Sequence, residues 1–197
     1  MSKKQFEDIS LIILAGGKSR RMGANKALLK YRGKSFIEIL FGRFKDLFSE
    51  IIISSDNSQV YLTGTKIVPD VYKNIGPVGG IYSALMFSEI EKNIVISVDT
   101  PFISKDLIRF LIKNDDKNSI VTIISEKKHL HPLIGIYSKK FTYTLKNEIL
   151  SENYKLRNII LKTKYKIAEI SEENFYNEKL LQNINTPESY YALSKKE

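Results

Sequence analysis

Between Ile9 and Ile170 short apolar runs alternate with longer segments whose apolar residues recur every three or four positions. Such runs are the signature of strands buried on both faces, and the intervening period is that of amphipathic helices. Ile9–Ala15, Ile51–Ser54, Lys66–Val68 and Ile94–Val98 read as successive strands, the last the most central in character. Ile120–Ile124, Leu133–Tyr137 and Tyr165–Ile170 read as later strands, with two histidines between the first two of these. Ser35 and Glu38 form a capping box. The helix it opens is predicted to bury Ile37, Leu40, Phe41, Phe44 and Phe48. The glycine–proline turn at 76–80 leads into a helix from about Ile81 to Ile90. Ser104 caps a helix through Ile112, and Phe141–Leu150 reads as another. Thr186-Pro187-Glu188 carries the N-cap, first-turn proline and acid of a terminal helix. The alternation predicts an α/β fold, three-layer α/β/α with a mostly parallel sheet. With no repeat, low-complexity tract or linker, residues 1–197 are expected to form a single domain.

Composition narrows the chemistry. There are 31 Lys and Arg against 22 Asp and Glu, a net charge of +9. The surface therefore attracts anions. The basic residues are scattered as pairs such as Lys127-Lys128 and Lys139-Lys140, with no aromatic-interleaved stripe, so specific nucleic-acid binding is not expected. No apolar run approaches the roughly 20 residues of a membrane span. Met1–Asp8 carries acids and then enters a strand, which is not the expected form of a signal peptide. With no cysteine, disulfides, thiolate metal sites and cysteine nucleophiles are excluded, and the cytoplasm is the expected compartment.

The chemistry concentrates where strands end. After the first strand, Gly16-Gly17 can bring the backbone close to a ligand and point free amides at an anion. Arg20, Arg21 and Lys26 follow within nine residues of Gly17. Together they predict a polyphosphate site, and hence a nucleotide. The spacing matches neither the P-loop nor the dinucleotide fingerprint. Ser54, Asp70 and Asp99 close the next three strands, and ligands of an open parallel sheet bind outside those ends. Asp99, followed by Thr100-Pro101, suits a hard cation such as Mg²⁺; a turn cap is the alternative use of the same carboxylate.

The stretch Leu14-Ala15-Gly16-Gly17-x-Ser19-x-Arg21-Met22-Gly23-x-x-Lys26 resembles the signature loop of the molybdenum cofactor guanylyltransferases, in the nucleotide-diphospho-sugar transferase-like superfamily. The resemblance extends to about Glu188 and implies a Rossmann-like nucleotide-diphospho-sugar transferase fold. It implies that Leu14, Ala15, Gly16, Gly17, Lys26, Ser54, Asp70, Gly79 and Asp99 bind the nucleotide. Asp99-Thr100-Pro101-Phe102 matches the family's metal-binding segment, and Gly76-Pro77-Val78-Gly79-Gly80 its loop near base and ribose. Ser54 departs from the asparagine common in the family. Asn183 and Asn185, within Asn183–Glu188, match the segment implied to contact the pterin acceptor. His131-Pro132-Leu133 matches a family strand, where His131 either lines the acceptor site or is structural; Lys155 and Arg157 are weaker candidates for the acceptor's phosphate. The implied reaction moves GMP from GTP to the terminal phosphate of Mo-molybdopterin, with Mg²⁺ on Asp99 and with Arg21 and Lys26 stabilising the leaving pyrophosphate. Partners implied are GTP, Mo-molybdopterin and the molybdopterin-loading proteins of the pathway. The nearest rival is a nucleotidyltransferase using CTP, or a sugar or polyol phosphate acceptor; a GTP-binding regulator without turnover and a nucleic-acid module are remoter.

Overall fold

The computed structural model describes residues 4–17 and 25–194. Its elements in chain order are β1 (Ile9–Leu14), a 3₁₀ turn (Lys26–Leu28), β2 (Lys30–Tyr31), β3 (Lys34–Ser35), α1 (Phe36–Phe44), β4 (Ile51–Ser54), β5 (Lys66–Val68), α2 (Pro77–Phe87), β6 (Lys92–Ser97) and α3 (Lys105–Asn114). There follow β7 (Val121–Glu126), β8 (His129–Ser138), α4 (Phe141–Leu150), α5 (Leu156–Leu161), β9 (Tyr165–Glu169) and α6 (Pro187–Ser194). Seven strands form one sheet in the order β5-β4-β1-β6-β8-β7-β9. β8 alone runs against the others.

Strand periodicity explains the layers. In β1, Leu11 and Ile13 point to one face and Ile12 and Leu14 to the other; β4 and β6 split the same way. The first face is covered by α1 and α3 through Phe36, Leu40, Phe44, Leu107 and Leu111, with Leu193 of α6 joining them. The second is covered by α2, α4 and α5 through Val78, Ile81, Leu85, Phe141, Leu145 and Ile159. Both faces being dry, the central strands must be apolar throughout, which is why they read as runs rather than alternations. No helix among the described residues is long and apolar enough to cross a membrane.

Several elements differ from expectation. The capping box at Ser35 and Glu38 is present, but its helix ends at Phe44, and Phe48 is buried beyond it. α2 starts at Pro77, not Ile81, so Gly79 and Gly80 lie inside its first turns. A Cβ on Gly79 would sit 2.5 Å from the Tyr72 carbonyl, and one on Gly80 would sit 2.7 Å from Ser54 Oγ. These glycines serve close packing rather than breaking the helix. Two small elements escape sequence reading, the β2–β3 ribbon and the six-residue α5, both too short to show a period.

The largest difference concerns the histidines. They lie not between strands but within β8, which returns from β7 through a two-residue turn at Lys127-Lys128. Both lysines have positive φ, 47° and 68°, the geometry of a type I′ hairpin turn. That turn usually carries Asn-Gly, so Lys-Lys hides it from the sequence.

Candidate active site

β5, β4, β1 and β6 are parallel neighbours, so the residues that end them lie side by side along one edge of the sheet. There they enclose a cleft of about 1100 Å³. Leu14, Ala15, Gly16, Gly17, Ser54, Asp70 and Asp99 all line it, as the strand ends predict. Register fixes their order across the cleft. Leu14 pairs with Ser54 on one side and with Ser97 on the other. The Val98 amide then donates to the Leu14 carbonyl at 3.0 Å. The glycine pair thus sits between the Ser54–Asp70 end and the Asp99 end. Gly17 has φ of 114°, a conformation few residues other than glycine adopt.

At the β4–β5 end, buried Ser54 donates its hydroxyl to Asp70 Oδ1 at 3.3 Å. The Asp70 carboxyl is pushed above its usual range, mainly by burial and then by the charge of Asp56. Gly80, rather than the predicted Gly79, faces this end. Gly79 lies behind the wall against Tyr72 and Asp70.

At the β6 end, Asp99 Oδ1 is buried without a hydrogen-bond partner among the described residues. A buried carboxylate oxygen left unsatisfied is costly, and such atoms call for an unseen partner. A divalent cation fits. Among the described residues no group of three or more His, Cys, Asp and Glu could hold a metal. Asp99 would hold such a cation with few other protein ligands of these types, leaving the rest of its shell to phosphate oxygens and water, the habit of Mg²⁺ beside a nucleotide.

The C-terminal segment packs beside this end, although Lys26, Asn183 and Asn185 are not among the residues lining the cleft. The Ile184 amide donates to the Asp99 carbonyl at 2.8 Å. Next to it, Asn185 accepts a hydrogen bond from Lys26 Nζ. Lys26 is held in its 3₁₀ turn by Asn25, whose side chain accepts from the Ala27 amide at 2.9 Å. Asn183 is exposed in the same segment. Arg20 and Arg21 lie outside the described residues. Sequence reasoning did not assign Asn25, Asn74 or Leu133, which also line the cleft, to the site, although Leu133 lies in the family-like His131-Pro132-Leu133 segment.

His131 is not among the residues lining the cleft. Its Nε2 lies 3.5 Å from Glu126 Oε2, and its ring meets His129 edge-on at 4.9 Å. Burial and then the neighbouring His129 hold it below the usual histidine range. Lys155 stands at the N-cap position of α5 without a side-chain capping bond, and Arg157 is exposed on that helix. Neither lines the cleft.

A glycine pair, a lysine and a buried carboxylate oxygen without a partner among the described residues suit nucleotidyl transfer. The fold and cleft are those of a nucleotidyltransferase. The chain belongs to the MobA-like NTP transferase family, whose domain description matches residues 11–167. A protein of Flavobacterium johnsoniae named "probable molybdenum cofactor guanylyltransferase" is 37% identical over 191 residues, 96% of this chain and 98% of its own. A protein of the same name from Natranaerobius thermophilus is 34% identical, over 92% of this chain and 93% of its own. The crystal structure of molybdopterin-guanine dinucleotide biosynthesis protein A from Archaeoglobus fulgidus superposes with a TM-score of 0.81, covering 95% of this chain and 97% of its own. At 20% identity it carries the fold alone.

Proposed function

We propose that this chain transfers GMP from GTP to the terminal phosphate of molybdopterin, releasing pyrophosphate, and that residues 1–197 act as one nucleotidyltransferase domain in the cytoplasm. The observation that carries the reading is the orphaned Asp99 oxygen beside the Gly16-Gly17 nest, with Lys26 tethered to Asn185 at the same end of the cleft. The named relatives of the family support the choice of nucleotide and acceptor.

In this reading an oxygen of the acceptor phosphate attacks the α-phosphorus of GTP. A new phosphorus–oxygen bond forms as the bond to the β-phosphate bridging oxygen breaks, and that oxygen leaves with pyrophosphate. The acceptor phosphate is largely ionised at neutral pH, its second pKa being about 6, so no general base is needed. Asp99 would hold Mg²⁺, which supplies charge neutralisation at the phosphate oxygens. Amides at Gly16 and Gly17 hold the phosphates in line, while Lys26 and Arg21 meet the charge that grows on the leaving group. Ser54, Asp70 and Gly80 bound the end for base and ribose, with Gly79 packed behind them, and Asn183 and Asn185 would meet the acceptor beside Asp99. The molybdopterin-loading proteins of the pathway would deliver that acceptor.

The test is pyrophosphate release by the purified protein with Mg²⁺ and each of the four nucleoside triphosphates, with and without molybdopterin. Release that requires both GTP and molybdopterin is expected. Release with CTP and a sugar or polyol phosphate instead would replace this reading.

A further inference from the structure

The β7–β8 ladder slips between Ile123 and Ile124. Ile123 pairs with Gly135 but Ile124 pairs with His131, which leaves residues 132–134 of β8 unpartnered in β7. Proline suits such a bulge because it has no amide hydrogen to leave unpaired. Buried Tyr137 pins it by donating its hydroxyl to the Pro132 carbonyl. At its base Gly135 lets the two backbones touch, since a Cβ there would lie 2.4 Å from the Thr122 carbonyl. Of the bulge residues only Leu133, half-buried and packed at its base against the second-face core, lines the cleft, as Ser97 and Asp99 do.

β8 neighbours β6, and their last register pair is Val95 with Gly135. Continuing that antiparallel pairing places Leu133 at the Asp99 end, across the glycine nest from Ser54 and Asp70. A nucleotide running from Asp70 to Asp99 does not need this wall. The geometry points to Leu133 as a specificity-determining contact for the acceptor, an organic phosphate whose flat ring packs on this side chain, with Tyr137 as the positioning residue that holds the bulge. This rests on the nucleotidyl-transfer reading given above.

The test is steady-state kinetics with GTP and molybdopterin, together with equilibrium binding of GTP and Mg²⁺ without acceptor. Leu133→Asn, of similar size but polar, is expected to raise the acceptor KM about tenfold, the scale of losing one apolar pocket contact. Its GTP affinity should remain native, which also reports an intact fold. Leu133→Met should behave as native. Tyr137→Phe keeps the ring but frees the bulge, and should raise the acceptor KM without moving GTP binding. An unchanged acceptor KM in Leu133→Asn, or a matching loss of GTP affinity, overturns the assignment while transfer itself stands. No transfer by the native protein overturns both.

Discussion

At Asp99 and Gly17 the function turns on single atoms. Among the described residues Asp99 Oδ1 is buried and unpaired, so the fold presents a carboxylate oxygen that a cation or a ligand donor can satisfy. Asp99→Asn keeps the shape and removes the charge. Turnover with Mg²⁺ should fall about 100-fold or more, the scale of one pre-organised electrostatic group. Loss of less than about threefold in a Mg²⁺ titration would reduce Asp99 to a turn cap. Asp99 was legible because a lone acid stopping an apolar run is chemically conspicuous, and Gly16-Gly17 because glycine pairs followed by cations have few structural uses. Leu133 was not legible, since an apolar residue in an apolar strand carries no mark of facing a cleft. Gly79 and Gly80 differ only in which one faces inward, a distinction of helix phase that depended on starting α2 at Pro77.

The β7–β8 hairpin shows what an element can demand against local preference. Two consecutive lysines at positive φ are strained, each by about 1 kcal/mol or more. Replacing Lys127-Lys128 with Asn-Gly should therefore stabilise the fold by about 1 kcal/mol, read from urea unfolding. The strain is offset by Glu169 at the end of β9. Its carboxylate accepts from the amides of Lys127 at 3.2 Å and Lys128 at 3.4 Å, and from the hydroxyls of Ser125 and Ser171. The Ser171 hydroxyl chiefly, with Ser125 and the backbone amides, holds the Glu169 carboxyl down to about 2. A carboxyl depressed in the folded state stabilises fully above its unfolded value of roughly 4.3, and that contribution disappears as pH falls towards 2. Native protein should thus exceed Glu169→Gln in unfolding midpoint at pH 6, with the gap closing between pH 4 and pH 2. A gap independent of pH would assign the effect to hydrogen bonding without charge. The hairpin was invisible in the sequence because its turn lacks glycine and asparagine and its support comes from Glu169, 42 residues after Lys127.

Over the whole molecule, four parallel strand ends and one C-terminal strap make a single cleft with distinct ends. That convergence was readable in advance, since each strand terminated in a chemically useful residue and an open sheet puts such ends together. The strap read as a helix cap and, through the family resemblance, as an acceptor contact: nothing local in Asn183–Asn185 says that Ile184 will bond the Asp99 carbonyl or that Asn185 will hold Lys26. Nucleotide choice is decided at the other end. Ser54 already spends its donor on Asp70 Oδ1, so this pair offers acceptors: the hydroxyl lone pairs and the remaining carboxylate capacity. Guanine presents two adjacent donors, N1–H and its 2-amino group, whereas cytosine presents one donor beside an acceptor. GTP should therefore be used in preference to CTP in a pyrophosphate-release competition, each matched bond contributing roughly 0.5–1.5 kcal/mol. The preference should weaken on acidification, because burial and Asp56 raise the Asp70 carboxyl and its protonation replaces an acceptor by a donor. Asp70→Asn should flatten both the preference and its pH dependence. Equal use of CTP by the native protein at neutral pH would move base recognition away from Asp70, and with it the guanylyl assignment.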